Sequence, residues 1–160
     1  ARRAGNGDAA LLEKVHAVPG CEKLTWNDIQ LSSTIFAVKP GDGSAREQAA
    51  SCQRVLGGVA NIATEYATKR YRSNCINWGI VPFTLDKDTK FDYQPGDFVF
   101  VKGIRDAIVN GRETIPAKVI TQKGVEDITL YVKGLTADEK TIICEGCLMN
   151  YYAALNRKNK

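Results

Sequence analysis

Gly41 and Gly43 stand between an apolar run and a stretch with helical spacing, and this junction constrains the fold more than any other segment. The run Thr34-Ile35-Phe36-Ala37-Val38 reads as a buried strand. After it, Ala45, Ala49, Cys52 and Leu56 recur at the period of one helix face. Lys39-Pro40 and the glycines make the turn, and glycine lets backbone come close to whatever lies there. A helix starting near Ala45 points its unpaired N–H groups and partial positive charge at a spot beside Ser44 and Arg46. Such a spot suits a carboxylate, a phosphate or a developing oxyanion.

The segments around this junction alternate between strand and helix. Gly57-Gly58 supply a left-handed stop, and Val59-Ala60-Asn61-Ile62-Ala63 reads as a second strand, which implies a parallel, right-handed crossover. A second helix over Glu65–Trp78 buries Tyr71, Cys75 and Trp78 and ends at Gly79. Ile80–Leu85 follows as a short strand whose Pro82 marks an edge or a strand start. Upstream, Asp8–Val15 reads as a short helix before a Pro19-Gly20 loop.

Beyond Gln94-Pro95-Gly96-Asp97 the pattern turns antiparallel. Phe98–Val101, Ile115–Ile120 and Ile128–Val132 are strand-like, with turns at Asn110-Gly111 and Lys123-Gly124. A capping box, Thr136-Ala137-Asp138-Glu139, opens one closing helix. The expected fold is α/β: a parallel βαβ core, an antiparallel β layer and a C-terminal helix in a single domain over 1–160. Its parts are a lead-in (1–32), the loop-bearing core (33–85), the β layer (86–135) and the helix with its tail (136–160).

Composition narrows the chemistry. A chain of 160 residues supports one sizeable core, and no segment has membrane-spanning length or signal-peptide layout. It opens on Ala1-Arg2-Arg3 rather than Met and reads as a piece of something longer. The net charge of +4 gathers at Lys69-Arg70-Tyr71-Arg72, read as a solvated helix face, and at the tail Arg157-Lys158-Asn159-Lys160. Five cysteines, an odd count without a small-scaffold pattern, favour a reducing, cytoplasmic compartment. Cys144 and Cys147 form a C-x-x-C, but Cys144, Leu148, Tyr151 and Leu155 fall on one helical stripe, and two ligands complete neither a zinc nor an iron–sulfur site. No metal is expected on this chain. His16 is the only histidine, which argues against a Ser-His-Asp triad, and the loop lacks the G-K-[ST] of a P-loop.

Ser44-Ala45-Arg46-Glu47 also has the spacing of a capping box, with Ser44 as N-cap and Glu47 reaching back. Structural and chemical readings coexist here. Helix N–H donors and a nearby guanidinium favour the charged form of a group they bind, so Ser44 has the surroundings of a stabilised alkoxide. Arg46 has the planar fork that pairs bidentately with a carboxylate.

Gly41 through Ala50 fit the pattern G-x-G-S-[SA]-R-E-[HQ]-A-A, Leu56-Gly57-Gly58 follows, and Arg72 through Phe83 fit R-x-N-[LC]-I-N-[FW]-G-[IL]-x-P-[LF]. Together these blocks resemble the C-terminal swivel domain of the aconitase superfamily of hydro-lyases, over Val38–Leu85. The resemblance implies a swivel-type fold of β/β/α layers acting on a hydroxy-polycarboxylic acid. It makes Ser44 the general base that takes a proton from a carbon beside a carboxylate. Arg46 supports that serine and clamps the substrate, with Gly43 and Ala45 beside them in the substrate site. A [4Fe–4S] cluster on a partner domain or subunit is the expected Lewis acid, and none is bound by this chain. The partner is the cluster-bearing part of the same polypeptide or a large subunit, without which this domain is silent. The alternative is a non-catalytic anion- or RNA-binding domain of the same fold, with Lys69, Arg70 and Arg72 as the place for RNA.

Overall fold

Three parallel strands and three antiparallel ones form a single sheet, ordered β1-β2-β3-β6-β5-β4. The structure, a computed structural model, describes residues 9–158. The opening Ala1-Arg2-Arg3, Asp8 of the first predicted helix, and the last two residues of the basic tail lie outside the described residues. In chain order the elements are α1 (Ala9–His16), β1 (Ser33–Ala37), α2 (Arg46–Val55), β2 (Gly58–Ala63), α3 (Lys69–Asn77) and β3 (Val81–Thr84). Then come β4 (Phe98–Phe100), α4 (Ile104–Val109), β5 (Thr114–Ile120), β6 (Val125–Tyr131), α5 (Ala137–Glu145) and α6 (Leu148–Lys158). Among these helices none is long and apolar enough to cross a membrane.

The parallel half is the expected βαβαβ unit, with Ile62 opposite both Phe36 and Phe83. It meets the antiparallel half at one register pair, Thr84 with Tyr131. That single pair explains Pro82. It lies in the middle of the strand order rather than at an edge, yet no β6 residue is laddered to it, so its missing N–H is owed to no hydrogen bond. Thr34–Val38 also departs from expectation. The strand is the outer edge of the sheet, with Ile35 and Phe36 exposed to 37% and 39%, and Phe36 stacks on Phe91 at 4.4 Å.

Asn110-Gly111 does not join two strands. Gly111, at φ +68°, ends α4, and the Arg112 amide closes that end on the Ala107 carbonyl. The second predicted helix is shorter than expected: Thr68 caps it, accepting the Tyr71 amide at 3.2 Å, so Glu65 stays in the loop before it. The Thr136–Glu139 capping box is present in both directions. The closing helix, however, is two helices. Gly146 at φ +90° breaks it, and a β-carbon on Gly79 would run into the Gly146 carbonyl, so two glycines let the ends of α3 and α5 touch. Cys144 and Cys147 therefore lie on either side of a break and share no helical stripe.

The main core packs β3, β5 and β6 against α4 and α5 through Phe83, Ile108, Val119, Leu130 and their neighbours. A second cluster seats α1 and Cys21 on Ile120. A third, of Ala50, Tyr71, Cys75 and Ile80, lies between α2 and α3 beneath the glycine loop.

Candidate active site

The loops that follow β1 and β2 leave the same edge of the parallel sheet and are tied together residue by residue. The Val38 carbonyl accepts the amides of Thr64 and Glu65 at 3.2 and 3.1 Å, and the Pro40 carbonyl accepts that of Ala67 at 2.9 Å. Lys39 and Glu65 form an ion pair at 2.6 Å, which holds the Glu65 carboxyl below its ordinary range and raises the Lys39 ammonium. At Gly41 the carbonyl receives both Arg46 Nε at 3.1 Å and Thr68 Oγ1 at 3.3 Å. Gly41 itself sits at φ +93°, where a β-carbon would collide with Tyr71. Glycine is required there. Gly43 is different: it is not left-handed, and nothing lies within 4 Å of its missing β-carbon.

Ser44 follows on the exposed side, and its hydroxyl bonds none of the described residues. The capping box read from the sequence does not form. Helix α2 starts at Arg46 with Ala45 as its N-cap, at φ −82° and ψ 49° and with no side-chain cap bond, so Ser44 lies one residue too early. Glu47 turns away to accept the Trp78 indole N–H at 2.8 Å. The first-turn amides of α2 thus stay uncapped by any side chain while the serine hydroxyl stays free. Arg46 is half-buried, and its bond to Gly41 orients the guanidinium.

Beneath the loop lies a buried polar platform that sequence reasoning missed. Asn61 Nδ2 donates to the Tyr71 hydroxyl at 3.1 Å and to Cys75 Sγ at 3.4 Å, and Gln53 Nε2 donates to the same hydroxyl at 3.1 Å. Burial pushes the Cys75 thiol up to about 11 and also raises Tyr71, so both stay neutral. Gln53 Oε1 is buried without a partner among the described residues. One signal could have found the platform: Asn61 is a polar residue inside an otherwise apolar strand.

The basic knot does not form one solvated face. Lys69 and Arg70 are exposed, but Tyr71 is core, and Arg72 is committed to Glu139 at 3.4 Å and to the Lys133 carbonyl at 2.9 Å.

Residues 18–88 match the family model of the aconitase C-terminal domain. The chain is 33% identical over 112 residues to the putative aconitate hydratase, mitochondrial, of Emericella nidulans, covering 69% of this chain and 14% of that protein. It is 37% identical over 90 residues to the 3-isopropylmalate dehydratase small subunit of Metallosphaera sedula, covering 56% of this chain and 52% of that protein. The crystal structure of 3-isopropylmalate dehydratase from Methanocaldococcus jannaschii aligns with a TM-score of 0.53 at 25% identity, over 84% of this chain and 71% of that one. The match thus spans about half of the small-subunit relative and far less of the hydratase. The glycine loop and the parallel crossover both fall within residues 18–88, and the chain is a member of the aconitase superfamily that carries its C-terminal domain.

Proposed function

We propose that this chain supplies the proton-transfer half of a hydro-lyase acting on a hydroxy-polycarboxylic acid, with Ser44 as base and Arg46 as carboxylate clamp. One observation carries this role: an exposed, unbonded serine hydroxyl stands directly ahead of a helix whose first turn no side chain caps. A serine is a weak base in water. Next to free N–H donors and a fixed guanidinium its alkoxide is stabilised, and it takes the proton from a carbon beside a carboxylate. Arg46 holds that carboxylate and spreads the charge developing on it. Gly43 and Ala45 leave room for substrate to reach both, Gly43 because nothing occupies its β-carbon position.

A [4Fe–4S] cluster is held by three or four thiolates. Among the described residues no three of His, Cys, Asp and Glu gather into such a site, and Cys144 and Cys147 straddle a helix break. The described residues do not fit the cluster, and on this reading the cluster belongs to a partner domain or to a large subunit. The small-subunit name of the Metallosphaera relative supports such a partner. The five cysteines are free thiols, in keeping with a reducing compartment such as the cytoplasm.

Turnover by the assembled enzyme tests the role. With Ser44→Ala, dehydration of substrate should fall by about two to four orders of magnitude, the worth of a positioned base. Near wild-type turnover would place the base elsewhere.

A further inference from the structure

A cavity of about 390 Å³ opens where β2 and β3 end, and neither Ser44 nor Arg46 lines it. In open parallel sheets this end of the strands is where ligands settle. Tyr66, Pro82 and Leu85 line it together with Thr64, Thr68 and Thr84, and the Thr68 and Thr84 hydroxyls are held by the Gly41 and Tyr131 carbonyls.

The charges around it do not balance. Four cations, Lys69, Arg72, Lys87 and Lys133, meet two carboxylates, Glu65 and Asp86. Both carboxylates are already engaged, Glu65 by Lys39 at 2.6 Å and Asp86 by the Tyr131 hydroxyl at 2.8 Å. Arg72 is tied to Glu139, and Lys133 lies over the Tyr131 ring at 4.5 Å. Lys69 and Lys87 form no ion pair or hydrogen bond with any described residue. Two ammonium groups outside any ion pair among the described residues therefore flank a concave space, with Lys87 near enough to Glu65 to help lower its carboxyl.

We infer that this cavity binds a small anion of two or more charges, a polycarboxylate or a phosphate, at a site separate from Ser44. The inference does not depend on the role of Ser44. The wall between the two sites is shared: Thr68 lines the cavity and also donates to the Gly41 carbonyl, and Glu65 lines it and holds Lys39.

Amide NMR of the full 160-residue chain tests it. Citrate and inorganic phosphate are titrated separately, at ionic strength held constant with chloride. Saturable shifts at Lys69, Lys87 and Lys133 with either anion are expected, and the anion that saturates identifies the ligand chemistry. Lys69→Gln and Lys87→Gln are exposed changes that keep the fold, and each should weaken Kd by roughly fivefold. Ser44→Ala should leave Kd unchanged, so failure here and failure of the serine's role are separate results. No saturable shift with either anion, or shifts that survive both lysine substitutions, would overturn the inference.

Discussion

Arg46 turns back onto its own loop, its Nε donating to the Gly41 carbonyl at 3.1 Å. The bond does two things at once. It closes the backbone around Ser44, and it fixes the plane of the guanidinium. Lysine at this position has charge but neither the Nε donor nor the fork. Arg46→Lys should therefore cost about 0.5–1.5 kcal/mol in urea unfolding for the lost bond. In the assembled enzyme it should also raise KM and lower kcat together.

The two glycines of the loop should respond oppositely to alanine. At Gly41 the left-handed backbone and the Tyr71 side chain both reject a β-carbon, so Gly41→Ala should destabilise by about 3 kcal/mol or more. At Gly43 the space is open, and Gly43→Ala should leave stability within about 0.5 kcal/mol of wild type while weakening substrate binding. Chemical denaturation of both variants, beside KM for Gly43→Ala, checks the contrast.

Removing the Tyr71 hydroxyl tests the buried platform. Tyr71→Phe keeps the ring against Gly41 but takes the acceptor from Gln53 Nε2 and from one of the two bonds of Asn61 Nδ2. Leaving such donors buried and unpaired should cost about 1–3 kcal/mol in denaturant unfolding.

Stability should fall at alkaline pH. The Cys75 thiol is raised from 9.0 to about 11, and burial raises Tyr71 and Tyr66 as well. Above pH 9 the unfolded chain releases the Cys75 proton while the folded chain keeps it, so the unfolded state binds fewer protons and ΔG of unfolding declines with rising pH. The stabilisation is full below pH 9 and is lost as pH rises through about 11. The urea midpoint, followed across that window, should drop; Cys75→Ala should flatten the thiol's share of the slope.

The parallel crossover was legible from its glycines and motif blocks, which act locally, whereas the stripe Ala45, Ala49, Cys52 and Leu56 lies on the exposed face of α2 and Ala50 is its buried residue. What stayed hidden depends on partners distant in sequence. That Thr34–Val38 is an outer edge follows from strand order, which local hydropathy does not encode. Pro82 stands near the start of β3, as one of its two readings has it, but not at a sheet edge, and a proline inside the strand order is tolerable there because β6 is not laddered beside it. The capping box at Ser44 had the right residues, but Trp78 competes for Glu47 and the helix begins one turn position later. The closing helix reads as one from its periodicity, and the break at Gly146 depends on the close approach of Gly79, a partner distant in sequence. The Asn61–Tyr71–Gln53 platform joins three elements, so only Asn61 hinted at it.

Proton exchange at the substrate carbon tests the role of Ser44 most directly. The assembled enzyme is incubated with substrate in deuterated buffer, and deuterium at the carbon beside the carboxylate is followed for wild type and Ser44→Ala. Ser44 is exposed and bonds none of the described residues, so the variant should unfold within about 0.5 kcal/mol of wild type. With the fold intact, exchange should drop by about two to four orders of magnitude, because the base itself is gone. Exchange at the wild-type rate in a folded Ser44→Ala enzyme would contradict the account.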